Sequence, residues 1–457
     1  MESTPSAPAA PSRKRRLSIV LVLALVAFAC SDDSGTTTTA GEAPATTDAA
    51  PGTTGAPDTT GDPATGEPVE ITVWFAREYL PPDLFASLEA EHNIRVTYDV
   101  RPGDNMLPTM LDMRDVGEPL PDLIEDDSLS TPAYIAAGLF QPMTEYVDRF
   151  AEEDPELFET VLPAVWENGT FDGEIWHASW QSSYDLIYYN VAMLEEAGVE
   201  VPFESWWDVL AAAQAVKANN PDMPSVFGTG STSEDPMFYW LTNFGAPFDG
   251  AVPDLTSPGG LDFIDWAQTM FEEGLINPAY VVGEQDESQG AFINGGGAIL
   301  QDGINAGLDY MAAPGFEYGE DGWLSTPMPN EEGGEQMSVP RGWSIVSESE
   351  HPYEASLALR YLMDPVNGVP RYLSGSSTPR STAILADPAV AEAQPYFTDE
   401  IREAFFGVSA QIPPAVNTRE VGAILIDLRD DLLVVGTDET PEEIAARYQP
   451  LLDALND

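Results

Sequence analysis

The stretch TFDGEIWHASWQSSYDLIYYNVAMLEEAGV, residues 170–199, holds the pattern from which the fold can be inferred. Its Asp172-Gly173 dipeptide is typical of a tight hairpin turn, and EIWHASW after the turn is predicted to be a strand. A second predicted strand, SYDLIYYN, leads directly into a predicted helix from Val191 to Ala197. This order of elements favours a mixed α/β protein.

The chain before this stretch predicts a parallel sheet. VEITVWF at 69–75 and IRVTYDV at 94–100 have the alternation and β-branched content of strands, and PPDLFASLEAEHN between them begins with prolines suited to a helix start. A helix in MLPTMLDMRD and a short strand in PDLIEDD continue the alternation. Strands that alternate with helices in this way form parallel sheets with right-handed crossovers.

Acidic residues follow two of these predicted strands. Ligands of open α/β sheets bind beyond the carboxyl ends of the strands. Glu78, Asp126 and Asp127 each lie just past a predicted strand end and are therefore candidates for ligand contacts. The alternative is that they are solvated surface acids, since acids are abundant throughout the chain.

Composition limits the classes of partner. The chain has 77 acidic and 18 basic residues, a formal net charge of −59, so nucleic acid and anionic membrane surfaces are poor partners. A surface this acidic repels itself at low salt, which suggests a salty environment; ordinary drift in an acidic proteome is the alternative. The roughly 390 residues after Val69 exceed the usual size of one core and predict two lobes.

The only cysteine, Cys30, lies in LVAFACSDDSGTTTT, after a basic cluster and an apolar run from Leu17 to Ala29. The run is too short to span a bilayer, which needs roughly 20 apolar residues. This arrangement resembles the bacterial lipoprotein signal, in which the cysteine thiol is acylated and becomes the first residue of the mature protein. The alternative is plain secretion with a free cysteine.

The segment after Cys30 is predicted to be a disordered tether. From Ser31 to Pro68 it contains no Val, Ile, Leu, Met, Phe, Trp, Tyr or Cys, so it has nothing to bury in a core. We therefore predict a signal peptide at 1–29, a tether at 30–68 and a folded part that begins near Val69.

Further motifs occur in a fixed order along the chain. The segment DGEIW is followed by a strand, then by YN and then by a helix that ends in AG. Four further segments follow in this order: VPFESWWDVLAAAQAV, SPGGLDFIDWAQTMFEEGLINPAY, DESQGAFINGGGAIL and LSTPMPNEEGGEQMSVPRGWSIV. Together they resemble the extracellular solute-binding proteins of family 1, the receptors that serve bacterial ABC importers. The resemblance covers nearly all of residues 69–457.

The resemblance implies a two-lobed α/β fold of the periplasmic-binding-protein type (type II), with a ligand cleft between lobes joined by hinge strands. The implied N-terminal lobe comprises 69–178 and 325–372, and the C-terminal lobe 179–324 and 373–457. It also implies a monomeric, lipid-anchored receptor on the outer face of the cell membrane. Such a receptor captures a small polar solute, commonly a mono- or oligosaccharide, and delivers it to the permease subunits of an ABC transporter.

Candidate ligand-binding residues follow from strand ends and aromatic character, and from the lobe crossings and cleft positions that the resemblance implies. Aromatic faces and a few placed polar groups suit polar solutes. Core packing is the alternative for Tyr184 and Trp240, and Arg341 could pair with a ligand carboxylate or with Asp127. The candidates are Glu78, Asp127, Trp180, Gln181, Tyr184, Trp240, Asp302, Arg341 and Trp343.

No catalytic, metal or cofactor site is predicted. A glycoside hydrolase needs two carboxylates roughly 5–10 Å apart, but no sequence signal selects a pair. There is no G-x-S-x-G elbow or calcium loop, and one cysteine with three scattered histidines, His92, His177 and His351, is a poor zinc set. The chain is therefore predicted not to be an enzyme. The alternatives that stay open are a receptor for a polyol, amino-sugar or quaternary-ammonium osmolyte, a lipoprotein scaffold and a secreted glycoside hydrolase.

Overall fold

The computed structural model describes residues 67–76, 83–101, 106–231, 233–283, 285–375, 377–407, 411, 414–415 and 417–456, which belong to one unit, Gly61–Asp457. The predicted signal peptide, Cys30 and nearly all of the predicted tether lie outside the described residues, as does Glu78.

The strands are β1 (Val69–Phe75), β2 (Ile94–Val100), β3 (Leu123–Asp127), β4 (Thr170–Phe171), β5 (Glu174–Ile175), β6 (Ala178–Ser183), β7 (Asp185–Asn190), β8 (Phe227–Thr229), β9 (Phe248–Asp249), β10 (Val252–Pro253), β11 (Ile299–Gly303), β12 (Trp323–Pro327), β13 (Val339–Ile345) and β14 (Thr378–Pro379).

The α-helices are α1 (Ala86–His92), α2 (Met106–Val116), α3 (Thr131–Ala136), α4 (Thr144–Glu153), α5 (Pro155–Phe158), α6 (Ala164–Glu167), α7 (Val191–Ala197), α8 (Trp206–Asn219), α9 (Asp235–Asn243), α10 (Pro258–Glu272), α11 (Ala279–Val282), α12 (Gln285–Ile293), α13 (Ala306–Ala312), α14 (Pro352–Met363), α15 (Pro365–Leu373), α16 (Thr382–Leu385), α17 (Pro388–Ala393), α18 (Asp399–Gly407), α19 (Thr418–Asp430) and α20 (Pro441–Asp453). A 3-10 turn follows β3 at Ser128–Ser130, and a π-helical turn follows α19 at Asp431–Val435.

The stretch that predicted the fold forms most of the expected elements. Asp172 and Gly173 both have positive φ, 52° and 85°, which matches the tight turn between β4 and β5. Helix α7 has the predicted bounds, because the Asn190 side chain caps its first turn and Gly198 ends it in the left-handed region.

One prediction for this stretch is wrong. EIWHASW is not a single strand: β5 ends at Ile175 and β6 begins at Ala178. The backbone N–H groups of Trp176 and His177 both donate to the carbonyl of Gly169 and not to a neighbouring strand. This local contact turns the chain, so β5 pairs with β4 while β6 enters the large sheet.

The larger sheet has six strands in the order β14-β6-β13-β3-β1-β2. Strand β1 is parallel to β2 and to β3, as the sequence predicts, whereas β13, β6 and β14 are added antiparallel. The register places Arg341 of β13 opposite Asp127 of β3 on one side and Gln181 of β6 on the other. Three predicted site residues therefore lie side by side across β3, β13 and β6, near the carboxyl end of β3. We call this end of the strands the edge of the sheet.

The second sheet has four strands in the order β12-β7-β11-β8. The chain passes from the first sheet to the second at Tyr184, between β6 and β7, and returns between Pro327 and Val339. Residues 325–327 thus pair in the second sheet, and β14, beyond residue 373, pairs in the first. These pairings place the passages later in the chain than the lobe boundaries predicted at 325 and 373.

Both sheets are covered on two faces. In β7, Leu186 and Tyr188 face one core while Ile187 and Tyr189 face the other, as strand alternation requires. The core that contains Ile187 and Tyr189 is built largely from α8, α9, α10, α19 and α20. It includes the stacked rings of Trp240 and Phe263. The first sheet is covered by α14 and α15 on one face and by α2 and α3 on the other.

Candidate ligand-binding site

The carboxyl end of β3 carries three acids with different partners. Asp126 accepts a hydrogen bond from the Tyr134 hydroxyl at 2.7 Å on one face of the sheet, and burial raises the pKa of its carboxyl. Glu125 makes a buried ion pair with Arg371 on the opposite face. Asp127 caps the turn that follows, accepting from the N–H and the hydroxyl of Ser130 at 3.2 and 3.3 Å. Of the three acids, Asp126 and Glu125 are held on the two faces of the sheet, and Asp127 lies at the strand end.

Arg419 links this edge to the second lobe. Its guanidinium donates to the carboxylate of Asp127 and, at 2.6 Å, to that of Glu234, which immediately precedes α9. Arg419 lies in the first turn of α19, whose apolar residues pack in the same core as α9. The two ion pairs therefore join the end of β3 to helices that cover the second sheet.

Asp235 and Arg341 lie in the same charged region. Asp235 is the first residue of α9, and burial raises the pKa of its carboxyl to about 6, with a further contribution from the charge of Glu234. The positive charges of Arg341 and Arg419 act in the opposite direction on this pKa. We call the set Asp127, Glu234, Asp235, Arg341 and Arg419 the interlobe charge cluster.

The neighbouring edge of the second sheet carries a chain of buried hydrogen bonds. The indole N–H of Trp240 donates to Gln301 at 2.6 Å, and the Gln301 amide donates to Asp185 at 3.1 Å. Burial raises the pKa of the Asp185 carboxyl to about 8, so this acid is largely protonated at neutral pH. The edge therefore offers a hydrogen-bonding carboxyl without a full charge.

Asp302, in β11, is held by donors of its own lobe. It accepts from Gln289 at 2.7 Å, from the hydroxyl of Tyr310 and from the backbone N–H of Gly303 at 2.8 Å. A Cβ added at Gly230 would lie 2.0 Å from its carboxyl carbon, so glycine is required there. Its role in ligand binding stays a prediction.

The predicted aromatic platforms are buried. Trp180, Tyr184 and Trp343 are at most 1% exposed and belong to the core that also contains Phe75. The ring of Trp343 lies 5.1 Å from that of Phe75, and that of Tyr184 lies 6.1 Å from Phe405. These contacts are the core packing that was the alternative for Tyr184.

Trp240 is also a core residue, stacked 5.9 Å from Phe263. Gln181 lies at the sheet edge and donates to the carbonyl of Ser377 at 3.2 Å. The structure therefore brings Asp127, Gln181 and Arg341 together at one edge and places the tryptophans in cores.

Sequence reasoning missed Arg419, Glu234 and Asp235. The segments NTREVG and TSEDPM carry no motif, and acids are too common in this chain for any one of them to stand out. The proline after Asp235 does indicate a helix start and so places the acid at the beginning of a helix. That signal predicts where Asp235 lies along its helix but does not predict which side chains it meets.

The described residues contain no group of three or more His, Cys, Asp and Glu side chains arranged to hold a metal ion. Within the same ranges, no helix has both the length and the apolar content needed to cross a bilayer.

The two sheets, the chain passages between them and the charges at their facing edges define a two-lobed α/β binding protein. A family model of bacterial extracellular solute-binding proteins matches residues 75–368. This chain therefore belongs to the bacterial extracellular solute-binding protein family.

Solved structures share this fold. The sugar-binding protein MalE from the phytopathogen Xanthomonas citri superposes with a TM-score of 0.70 at 18% identity, covering 85% of this chain and 98% of that protein. An ABC substrate-binding protein from Listeria monocytogenes, solved in complex with cycloalternan, gives a TM-score of 0.69 at 17% identity, with the same coverage of the two chains.

A curated relative gives a weaker sequence match. A Deinococcus radiodurans protein described as "Probable ABC transporter-binding protein" is 24% identical over 256 residues, which is 52% of this chain. The aligned region spans 58% of that relative, so the chain matches little more than half of its length.

Proposed function

We propose that this protein is the extracellular solute-binding component of an ABC importer and that its solute is a mono- or oligosaccharide. The family match over residues 75–368 carries the proposal. The sugar class is supported by the fold neighbours, since one is described as sugar-binding and another was solved with cycloalternan. A polyol, amino-sugar or quaternary-ammonium osmolyte is the alternative solute, and a glycoside hydrolase is the alternative activity.

The site of capture is the region between the two sheet edges. Asp127, Gln181 and Arg341 lie at the edge of the first sheet, and the buried Asp185 lies at that of the second. Carboxyl, amide and guanidinium groups are planar and present several hydrogen-bonding atoms each, which suits the clustered hydroxyls of a sugar. Closure of the lobes on a bound sugar excludes water and strengthens these bonds.

In this proposal the protein is attached to the membrane through Cys30. Acylation of the thiol anchors the chain to the outer face of the cell membrane, and residues 30–68 act as the tether. Each buried methylene of an acyl chain contributes about 0.8 kcal/mol, so two or more chains hold the protein without a spanning helix. The tethered, monomeric receptor delivers its solute to the permease subunits.

Thermal unfolding of the purified full chain tests the proposal, with a panel of sugars, polyols, betaines and amino acids at low and at high salt. A solute present at 100 times its dissociation constant adds about 2.7 kcal/mol to the free energy of unfolding. Selective stabilisation by sugars supports the proposal, whereas selective stabilisation by betaines supports the osmolyte alternative. Release of nitrophenol from nitrophenyl glycosides, abolished by Asp185→Asn, would instead indicate a hydrolase.

A further inference from the structure

Arg380 is a buried arginine that belongs to none of the ion pairs found in the described part of the chain. It is 2% exposed, and burial lowers the pKa of its guanidinium to about 10, so the group stays charged at neutral pH. A buried charge is unfavourable unless hydrogen bonds compensate for the lost water. The positions of its neutral acceptors therefore show what the side chain holds together.

The guanidinium of Arg380 donates to three separate segments of the chain. One terminal nitrogen donates to the hydroxyl oxygens of Ser338 at 2.8 Å and Ser182 at 3.3 Å. The other donates to the carbonyl of Ala164, in α6, at 3.4 Å. These acceptors lie between 42 and 216 residues from Arg380 in the chain, so the contacts join parts that only the fold brings together.

The two serines lie where the chain passes between the lobes. Ser182 is two residues before Tyr184, where the chain leaves the first sheet for the second, and Ser338 is the last residue before β13, where the chain has returned. Both serines are 1% exposed. Lobes of this kind move by bending at a few residues of such passages. A side chain bonded to both serines therefore couples the two passages.

Arg380 is itself fixed to the first lobe through its main chain. It directly follows β14, which pairs with β6. Its backbone N–H donates to the carbonyl of Trp180 at 2.8 Å, and its carbonyl accepts from the N–H of Leu162 at 3.0 Å. The guanidinium therefore extends from a point that the first sheet holds in place.

Ser338 is also held from a second side. Its main chain pairs with that of Gln411, whose side-chain amide donates to the carbonyl of Asn168 at 3.1 Å. The side-chain oxygen of Gln411 accepts from the hydroxyl of Ser128 at 3.3 Å. Asn168 follows the last turn of α6, so the contacts of Arg380 and of Gln411 both connect Ser338 to this helix.

We infer that Arg380 is a positioning residue whose bonds to Ser182 and Ser338, here called the Arg380 clasp, make the two passages bend as one unit. The inference rests on the proposed function, in which Gln181 and Arg341 contact the solute. Gln181 precedes Ser182 on β6, Arg341 lies three residues after Ser338 on β13, and the two pair directly across these strands. The clasp therefore sets the spacing of these groups without touching the solute.

The distance between the lobes tests the clasp in the absence of solute. Spin labels are attached at Val116→Cys in the first lobe and Val435→Cys in the second, both 72% exposed positions, in the full chain carrying Cys30→Ser. Pulsed electron paramagnetic resonance then gives the distribution of label distances. Arg380→Gln should broaden this distribution by about twofold, and Arg380→Lys should give an intermediate width, because one ammonium does not reproduce the planar fork of a guanidinium.

Solute affinity distinguishes positioning from direct contact. Calorimetry compares the sugars that stabilise the parent protein in thermal unfolding. Arg380→Gln should weaken all of them by about tenfold and keep their order, because a smaller fraction of molecules holds the binding-competent arrangement. Loss of a direct contact would instead change the order, since sugars differ in the groups they present.

Arg402 provides a matched control. It too belongs to none of the ion pairs in the described ranges, and it donates to main-chain carbonyls, those of Leu385 at 2.5 Å and Phe397 at 3.4 Å. These contacts lie within one stretch of 18 residues and do not involve either passage, so Arg402→Gln should lose stability and keep the parent distance distribution. If Arg380→Gln fails to fold by circular dichroism, Ser338→Ala, which removes one acceptor of the clasp, takes its place.

The outcomes separate the clasp from the proposed function. Broadening in Arg380→Gln with a parent width in Arg402→Gln supports the clasp. A parent width in Arg380→Gln, or equal broadening in both variants, overturns it, and a changed order of sugar affinities at unchanged width makes Arg380 a solute contact instead. If no sugar binds to any form, the proposed solute class is refuted, while the distance distributions still decide the clasp.

Discussion

Removal of Arg419 should weaken the contact that joins the two lobes. Its two carboxylate partners are nearly buried, with Asp127 5% and Glu234 13% exposed, while Arg419 itself is 43% exposed. In Arg419→Gln, Asp127 keeps only the Ser130 donors. We expect the solute-free protein to populate a more open form in which Asp127 and Glu234 regain contact with water.

The size of this effect can be bracketed. An exposed ion pair contributes about 0.2–1 kcal/mol, whereas stripping the partner from a fully buried charge costs about 3–5 kcal/mol. Because water reaches Arg419 but hardly reaches Asp127, we expect a loss of about 2 kcal/mol, or roughly 30-fold in the closing equilibrium. Salt should reduce the difference, since the Debye length falls to about 3 Å at 1 M.

Arg447 provides a matched control. It also pairs with two carboxylates, Asp431 and Glu439, both at 2.6 Å, and is 39% exposed, but both partners lie in its own lobe and are at least 34% exposed. We expect Arg447→Gln to lose less than about 1 kcal/mol and to keep its shape.

Small-angle X-ray scattering and urea unfolding, at 50 mM and 1 M NaCl, distinguish the two variants. Arg419→Gln should show a larger radius of gyration and a lower free energy of unfolding at low salt, and Arg447→Gln only a small loss of stability. Equal losses in both variants, with a wild-type radius of gyration for Arg419→Gln, would refute an interlobe role for Arg419.

Three further predictions concern stability and location. Burial raises the pKa of Asp185 to about 8 and that of Asp235 to about 6, above the ordinary 3.8, so the folded state holds protons that the unfolded chain has released. The free energy of unfolding should therefore fall as the pH rises from 5 to 8.5, by about 1.4 kcal/mol per unit for each acid still protonated, and urea unfolding of Asp185→Asn should show a flatter profile. Arg371→Met leaves Glu125 buried without its ionic partner and should cost about 3–5 kcal/mol in urea unfolding, much of it recovered in the double variant with Glu125→Leu; no recovery would point to lost packing instead. In a host that processes lipoproteins, Cys30→Ser should move the protein from the detergent phase to the aqueous phase of Triton X-114, and equal partitioning of both forms would contradict the anchor.

The sequence predicted individual helices and strands well where caps and periodicity within a few residues define them. The bounds of α7 follow from Asn190 and Gly198, and the strand at 69–75 follows from its alternation, because caps and periodicity act within a few residues. The interruption of EIWHASW was not predictable in this way, since it depends on hydrogen bonds to Gly169 several residues earlier.

The site was predictable only in part. The position of Asp127 at the end of a strand was predictable, because the sequence carries that signal; its contact with a ligand stays a prediction. Trp343 was expected at a cleft from its place after Arg341-Gly342, but it packs against Phe75 and Arg371 in the core. Aromatic residues suit both environments, so residue type alone does not distinguish a binding platform from a core ring.

The sequence by itself determined the α/β class, the order of most elements and, through its motifs, the family. Tertiary structure alone decided which charges meet. Arg419 lies 292 residues from Asp127 and 185 from Glu234 in the chain, and no pattern relates such distant positions. These ion pairs depend on the packing of α19 against α9 in the second lobe, which brings Arg419 to Glu234 and to the end of β3. The reason is physical: secondary structure follows from neighbours along the chain, whereas a binding site depends on side chains that only folding brings together.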